Sequence, residues 1–236
     1  MNQAYQFKQL AENDFPEHRI PDLLDFYRYS PEKYPFYLES SSHNEYLANQ
    51  QSRYDILFIE PQYWLKLDKH FQLSASTPLA INTNQTFLEA FDDLWQLEQH
   101  QNACLTSGKS PEAENFQEHP QFPFSGGWFV FFSYELAQQV EPSLKLPKQE
   151  GDLPVAYAAR IRSAIIHDHR DDLYYLLAEN GLDLESLHRQ IVDDIIRSRK
   201  AEIKSAAEQP TLSELQEEND AQFIKAASRV TRYIRD

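Results

Sequence analysis

The sequence is short of cysteine, glycine and basic residues, and each shortage excludes a class of protein. One cysteine, Cys104, allows neither an internal disulfide nor a cysteine-based zinc site, which favours a reducing compartment. The five glycines are too scattered for the glycine-rich loop of a dinucleotide-binding protein. With 22 basic and 37 acidic residues the net charge is −15, and such an acidic surface is unsuited to nucleic acid or anionic lipid.

Long apolar runs are also missing. An uninterrupted run such as residues 128–132 is far shorter than the roughly 20 residues of a membrane-spanning helix. The hydrophobic fraction of 41% is nevertheless sufficient for a sizeable core. We therefore expect a globular cytoplasmic protein with no membrane partner.

Hydrophobic patterns along the chain predict an α+β fold. The strands are predicted at 36–39, 53–60, 63–67, 71–76, 156–167 and 173–179, with 53–60 central and with hairpins at 63–76 and 156–179. The helices are predicted at 22–29, 86–99 and 183–208, the second capped by Thr83 or Asn84. The dense aromatic residues of 122–134 are expected in a sheet core, and the polar stretch 100–121 is expected to be a long mobile loop.

Two groups of residues are candidates for catalysis or metal binding, and neither is predicted to function. His167, Asp168 and His169 together offer two imidazoles and a carboxylate to a metal ion. They fall at the predicted hairpin turn, however, and the sequence suggests no further ligand nearby. Cys104 and His100 lie at the start of the predicted loop, where nothing is placed to stabilise an oxyanion. We therefore predict no catalytic residue and no metal ligand within the chain.

Two polar clusters at predicted strand ends are a further candidate site. Glu39 and Ser40 could hold an ammonium group, while Arg53 could take a carboxylate in a forked contact. Together they would form an amino-acid pocket, whereas capping and an ordinary salt bridge are the alternative reading. If the pocket exists, Ser40 and Arg53 face one cavity, and Arg53 is paired with Glu39 or with the ligand.

The final segment predicts a helix with an apolar stripe that reaches almost to the last residue. Phe223, Ala227, Val230 and Ile234 recur at helical spacing, and no glycine, asparagine or proline stops the pattern. We therefore expect the 236 residues to be the N-terminal piece of a longer chain.

Four segments in this order resemble the N-terminal region of the chorismate-utilising enzymes. They are YPFYLES (34–40), SRYDILFIEP (52–61), PFSGGWFVFFSYELAQQVE (123–141) and DAQFIKAASRVTRYIRD (220–236). The family includes component I of anthranilate synthase and of aminodeoxychorismate synthase. The Arg53–Ile56 tetrapeptide and Glu60 are more similar to the second of these.

The resemblance implies an α/β sandwich of two antiparallel sheets with helices packed outside. Residues 1–207 would form the N-terminal domain, and 208–236 a linker and the first helix of the chorismate-binding domain. The whole enzyme would use ammonia from a glutamine amidotransferase to convert chorismate into 4-amino-4-deoxychorismate, for p-aminobenzoate and folate synthesis. The family's Mg²⁺ ligands and its lysine nucleophile, in a P-I-K-G-T segment, match nothing here. We therefore expect the chain alone to be inactive.

The resemblance also implies a tryptophan site in this region. The matching residues belong to the two polar clusters, and they are Leu38, Glu39, Ser40, Gln51, Ser52, Arg53 and Tyr54. Two alternatives remain open. The chain could be the N-terminal regulatory domain of anthranilate synthase component I, or a stand-alone module that binds an aromatic amino acid.

Overall fold

The computed structural model describes residues 5–40, 53–76, 79, 81–106, 122–146, 151–200 and 220–235. The chain forms two compact units, residues 1–198 and 199–236, and each is described by itself. The predicted domain boundary at 207/208 lies outside the described residues and stays a prediction.

The first unit is built on two antiparallel sheets. The strands are β1 (Tyr5–Gln9), β2 (Phe36–Leu38), β3 (Tyr54–Ile59), β4 (Tyr63–Leu67), β5 (Leu73–Ala75), β6 (Gly127–Phe132), β7 (Ala156–Ile161), β8 (Ser163–Asp168) and β9 (Leu173–Glu179). One sheet has the order β1-β9-β8-β3-β2 and the other the order β5-β4-β7-β6. The predicted α+β class with antiparallel sheets is confirmed.

The two sheets face each other across an apolar layer, and β3 shows how its sequence is suited to this position. Alternate side chains of a strand point to opposite faces. Ile56 and Phe58 therefore join the layer between the sheets, where the ring of Phe36 stacks on that of Phe129 at 4.0 Å. Leu57 and Ile59 face the other way, into a second core. The prediction of a central strand buried on both faces is confirmed.

Helices cover the outer faces of both sheets. They are α1 (Leu23–Tyr29), α2 (Phe87–Thr106), the short α3 (Ala137–Val140) and α4 (Leu184–Lys200). Residues of α1 and α4 pack with the five-stranded sheet, and residues of α2 pack with the four-stranded sheet. Among the described helices, none is both long and apolar enough to cross a membrane.

The start and end of α2 differ from the prediction. Its N-cap is Thr86, whose hydroxyl accepts a hydrogen bond from the Glu89 backbone while the Glu89 carboxylate accepts one from the Thr86 backbone. This reciprocal pair replaces the predicted caps Thr83 and Asn84. The helix continues to Thr106, so the predicted loop is wrong for 100–106, and 107–121 lie outside the described residues.

Two predictions about strands are wrong. The predicted strand 156–167 is two strands in different sheets, because the chain crosses between the sheets at Arg162. The aromatic segment 122–134 is only partly core, since β6 is an edge strand whose last residues are exposed, as is Tyr134. Strand β1 was not predicted.

The second unit contains α5 (Asp220–Arg235), as predicted. The apolar side chains of Phe223, Ile224 and Val230 are exposed within this unit. The predicted helix 183–208 is confirmed as far as Lys200, and its remainder lies outside the described residues.

Candidate functional site

A cavity of about 550 Å³ lies on the outer face of the five-stranded sheet, beside the segment that joins β1 to α1. Its wall has an excess of acidic groups. The charged residues are the carboxylates Glu12, Asp22, Glu39, Asp55 and Asp172, one arginine, Arg19, and two histidines, His167 and His169. This excess makes the cavity attractive to cations.

Strand pairing brings three of these residues together. Asp55 on β3 and His167 on β8 are direct cross-strand partners and point to the same face. His169 is the first residue after β8, and its backbone N–H donates to the Arg53 carbonyl, which continues the ladder. One ligand atom from each of the three side chains lies within 4.8 Å of those of the other two. Asp168 lies between the histidines and points to the opposite face.

The Asp55 carboxylate is the centre of this cluster. Its Oδ2 lies 2.9 Å from Nε2 of His169 and 3.8 Å from Nδ1 of His167. Its Oδ1 accepts a 2.7 Å hydrogen bond from the backbone N–H of Ser40, and the Tyr37 hydroxyl donates to Oδ2 at 3.3 Å. Because the side chain is only 6% exposed, these contacts fix its position.

The second ring nitrogen of His167 has its own partner. Nε2 lies 2.9 Å from Oδ1 of Asp172, and the imidazole stacks on the Tyr174 ring at 4.0 Å. The Asp172 side chain is 88% exposed, so it holds the buried imidazole from the solvent side. The ring orientation is therefore set by two carboxylates and one aromatic face.

Burial and charge act in opposite directions on the ionisation of the cluster. Burial raises the pKa of Asp55, but the contacts with His167, the Ser40 backbone N–H and His169 outweigh it and lower the pKa to about 2. Burial lowers the pKa of His167, but the nearby carboxylates of Asp55 and Asp172 raise it above its ordinary value. A carboxylate ionised at neutral pH thus faces two imidazoles, an arrangement able to bind a metal ion or to hold a proton.

The sequence prediction of a solvated turn at residues 167–169 is wrong for His167 and Asp168 and holds for the exposed His169. Strand β8 continues through Asp168, which is 3% exposed, and the side chain of His167 is 13% exposed. The third partner that the prediction lacked is Asp55, which comes from a strand more than a hundred residues earlier. The alternation of His-Asp-His is the signal that could have found the site, because a strand places both histidines on one face.

Arg53 has a different partner from the two that were predicted. Its Nε and terminal nitrogen lie 2.8 and 2.5 Å from the two carboxylate oxygens of Asp168, and Asp171 is 3.5 Å away. The hydrogen bond with Asp168 raises the pKa of Arg53 above its ordinary value. Asp168 completes the forked contact, so Arg53 does not need Glu39 as its partner, and that a ligand also meets Arg53 stays a prediction.

The other residues predicted to bind tryptophan lie on both faces of the sheet. Leu38 pairs with Ile56 and so lies on the face toward the second sheet. It is at the edge of that face and is 48% exposed. Tyr54 is half-buried beside Arg53, whose guanidinium carbon is 4.8 Å from the ring centre. Glu39 lines the cavity on the other face, and Ser40 holds Asp55 through its backbone.

Gln51 and Ser52 lie outside the described residues. The strands that carry the two clusters do pair as neighbours, as predicted. That Ser40 and Arg53 share one cavity stays a prediction.

Comparison with known proteins gives relatives that are longer than this chain. An anthranilate synthase component I-like protein of Synechocystis is 32% identical over 85 residues, which are 35% of this chain and 16% of that protein. Anthranilate synthase component I of Streptococcus pneumoniae has a TM-score of 0.46 and 17% identity over 83% of this chain and 41% of its own. The chain therefore spans less than half the length of both relatives.

A sequence model of one family covers nearly the whole chain. It is described as chorismate binding enzyme, and it matches residues 13–236. The match includes both strands that carry Asp55 and His167, and also helix α5. The chain belongs to the chorismate binding enzyme family.

Proposed function

We propose that the chain is the N-terminal region of an enzyme that converts chorismate into 4-amino-4-deoxychorismate, for p-aminobenzoate and folate synthesis. The observation that carries the proposal is the family match over residues 13–236. The choice of product rests on the Arg53–Ile56 tetrapeptide and Glu60, which resemble component I of aminodeoxychorismate synthase. Ammonia would come from a partner glutamine amidotransferase, in the cytoplasm.

In this proposal the first unit is a scaffold for chemistry that occurs elsewhere in the enzyme. Mg²⁺ would hold the substrate carboxylate and stabilise developing charge, through residues outside this chain. The two described sheets and their helices would support that region. Residues 1–236 alone would then form no product from chorismate.

Anthranilate synthesis is the second candidate function. The Synechocystis relative favours it, because its name contains anthranilate synthase component I-like. The similarity covers 35% of this chain, so we rank this candidate second.

Genetic complementation separates the two candidates. The complete gene is expressed, with the amidotransferase, in one bacterial strain that requires p-aminobenzoate and in another that requires tryptophan. The proposal expects growth of the first strain only, and a matched plasmid encoding residues 1–236 alone should rescue neither. Growth of the tryptophan-requiring strain alone would favour anthranilate synthesis. If neither strain grows with the complete gene, both candidate functions are refuted.

We also propose a tryptophan site at the edge of the inter-sheet layer. Leu38 and Tyr54 would supply the apolar slot, while Ser40 and Arg53 would meet the polar end of the amino acid. Since Arg53 is already paired with Asp168, a ligand carboxylate would have to share this guanidinium. In the complete protein, Ser40→Ala and Arg53→Ala should each weaken tryptophan binding by about 1–3 kcal/mol, the cost of an unpaired buried group. Unchanged tryptophan affinity in both variants, measured by calorimetry, would refute the site. Tryptophan binding by a complete protein that has no enzymatic activity would favour the stand-alone module.

A further inference from the structure

We propose that Asp55, His167 and His169 form a binding site for one divalent transition-metal ion of the Zn²⁺ type. The site is separate from the proposed reaction, whose Mg²⁺ would be bound by residues outside this chain. Its ligands would be Oδ2 of Asp55, Nδ1 of His167 and Nε2 of His169, with a further coordination position open to the cavity. Two imidazoles and one carboxylate are a ligand set that Zn²⁺ accepts.

The spacing of the three donor atoms fits such an ion. Ligands about 2.0–2.1 Å from a tetrahedral zinc are separated from one another by roughly 3.3 Å. The Asp55 oxygen lies 2.9 Å from the His169 nitrogen and 3.8 Å from the His167 nitrogen. Small side-chain rotations therefore suffice to bring the donors to bonding distance.

The surrounding contacts are those of a supported metal site. A histidine that binds a metal through one nitrogen usually donates a hydrogen bond from the other to a carboxylate. His167 makes this contact, because its Nε2 lies 2.9 Å from Asp172 while its Nδ1 faces Asp55. Ser40 and Tyr37 likewise hold the Asp55 carboxylate.

The charge of the cavity selects a cation. Five carboxylates and one arginine line it, so an anionic ligand would meet an unfavourable potential. Nitrogen donors are poor ligands for Mg²⁺, which prefers oxygen. The site should therefore take Zn²⁺ or Co²⁺ and discriminate against Mg²⁺.

The test measures metal binding by the whole 236-residue chain, without an affinity tag and after treatment with a chelator. Zn²⁺ is titrated, bound metal is counted by mass spectrometry after gel filtration, and Co²⁺ reports coordination through its visible absorption. We expect one equivalent of Zn²⁺ that a large excess of Mg²⁺ does not displace. Retention of no equivalent, or displacement by Mg²⁺, would overturn the proposal.

Three variants locate the ion. His169→Gln should weaken Zn²⁺ binding by at least 10-fold, while His70→Gln, which changes an exposed histidine in the turn between β4 and β5, should leave it unchanged. Asp172→Asn should weaken binding by roughly 10-fold without changing the stoichiometry, as expected for a residue that orients a ligand.

The Asp172→Asn variant also keeps the test decisive if His169→Gln does not fold. The exposed Asp172 can be changed without disturbing the core, so it decides the result if circular dichroism shows that His169→Gln is unfolded. Unchanged affinity in folded His169→Gln, or in Asp172→Asn when only that variant folds, would overturn the proposal.

Discussion

The Arg160→Met substitution removes a cation that two largely buried carboxylates share. The guanidinium lies 2.6 Å from Oε1 of Glu98 and 2.5 Å from Oε1 of Glu179, and it also donates to the carbonyls of Gly127 and Ile161. The arginine side chain is 8% exposed, and the two glutamates are 14% and 16% exposed. Burial lowers the pKa of Arg160, but the glutamates outweigh it and raise that pKa, so the arginine is charged.

The expected loss follows from what remains after the substitution. Methionine fills a similar length but leaves the carboxylates without their shared cation, and breaking a buried ion pair in this way costs about 3–5 kcal/mol. Glu179 keeps Arg162 at 3.0 Å, while Glu98 keeps hydrogen bonds from Tyr63 and Trp128. We therefore expect the lower end of this range, about 3 kcal/mol, or a fall in Tm of about 6–12 °C for a chain of this size.

Urea unfolding followed by tryptophan fluorescence measures this loss. The matched control is Arg28→Met, which removes an arginine whose contact with Asp25 is exposed on α1. Exposed pairs contribute little, so the control should change the free energy of unfolding by no more than about 0.5 kcal/mol. A loss below about 1 kcal/mol for Arg160→Met would refute the view that Glu98 and Glu179 depend on this shared cation.

Two further substitutions test local geometry. Gly126→Ala places a Cβ 2.1 Å from the carboxylate of Glu179, whereas Gly151→Ala, at a similar positive φ, meets no atom within 4 Å. In thermal unfolding, Gly126→Ala should therefore lower the free energy of unfolding by at least about 1 kcal/mol more than Gly151→Ala does. Equal losses of stability in the two variants would contradict the close contact. Tyr34→Phe removes a hydroxyl that donates to the Asp194 carboxylate at 2.7 Å inside the core. It should cost about 1.5–3 kcal/mol in urea unfolding, and a loss no larger than that of an exposed tyrosine would argue against this bond.

Strand prediction was most successful where one periodic run belongs to one sheet. The hairpin of β4 and β5 and the strand β3 have clear patterns, and both were found close to their observed bounds. The crossing at Arg162 was missed because residues 156–167 are equally suited to a sheet throughout, and only the opposite sheet decides where the strand ends. Strand β1 was missed because its stability comes from pairing with β9 at the other end of the unit.

The cluster of Asp55, His167 and His169 could be predicted only in part. The two histidines were noticed, but the turn was predicted to begin one residue too early, so the continuation of β8 through Asp168 was missed. Asp55 could not be paired with them from sequence alone, because their proximity depends on the register of β3 against β8. For the same reason, the partner of Arg53 could not be identified before the sheet order was known.

Product analysis tests the central claim most directly. The complete natural protein is incubated with its amidotransferase, chorismate, glutamine and Mg²⁺, and the products are identified by liquid chromatography with mass spectrometry. The proposal predicts 4-amino-4-deoxychorismate, which retains the enolpyruvyl side chain, without release of pyruvate. Formation of anthranilate together with pyruvate would contradict it.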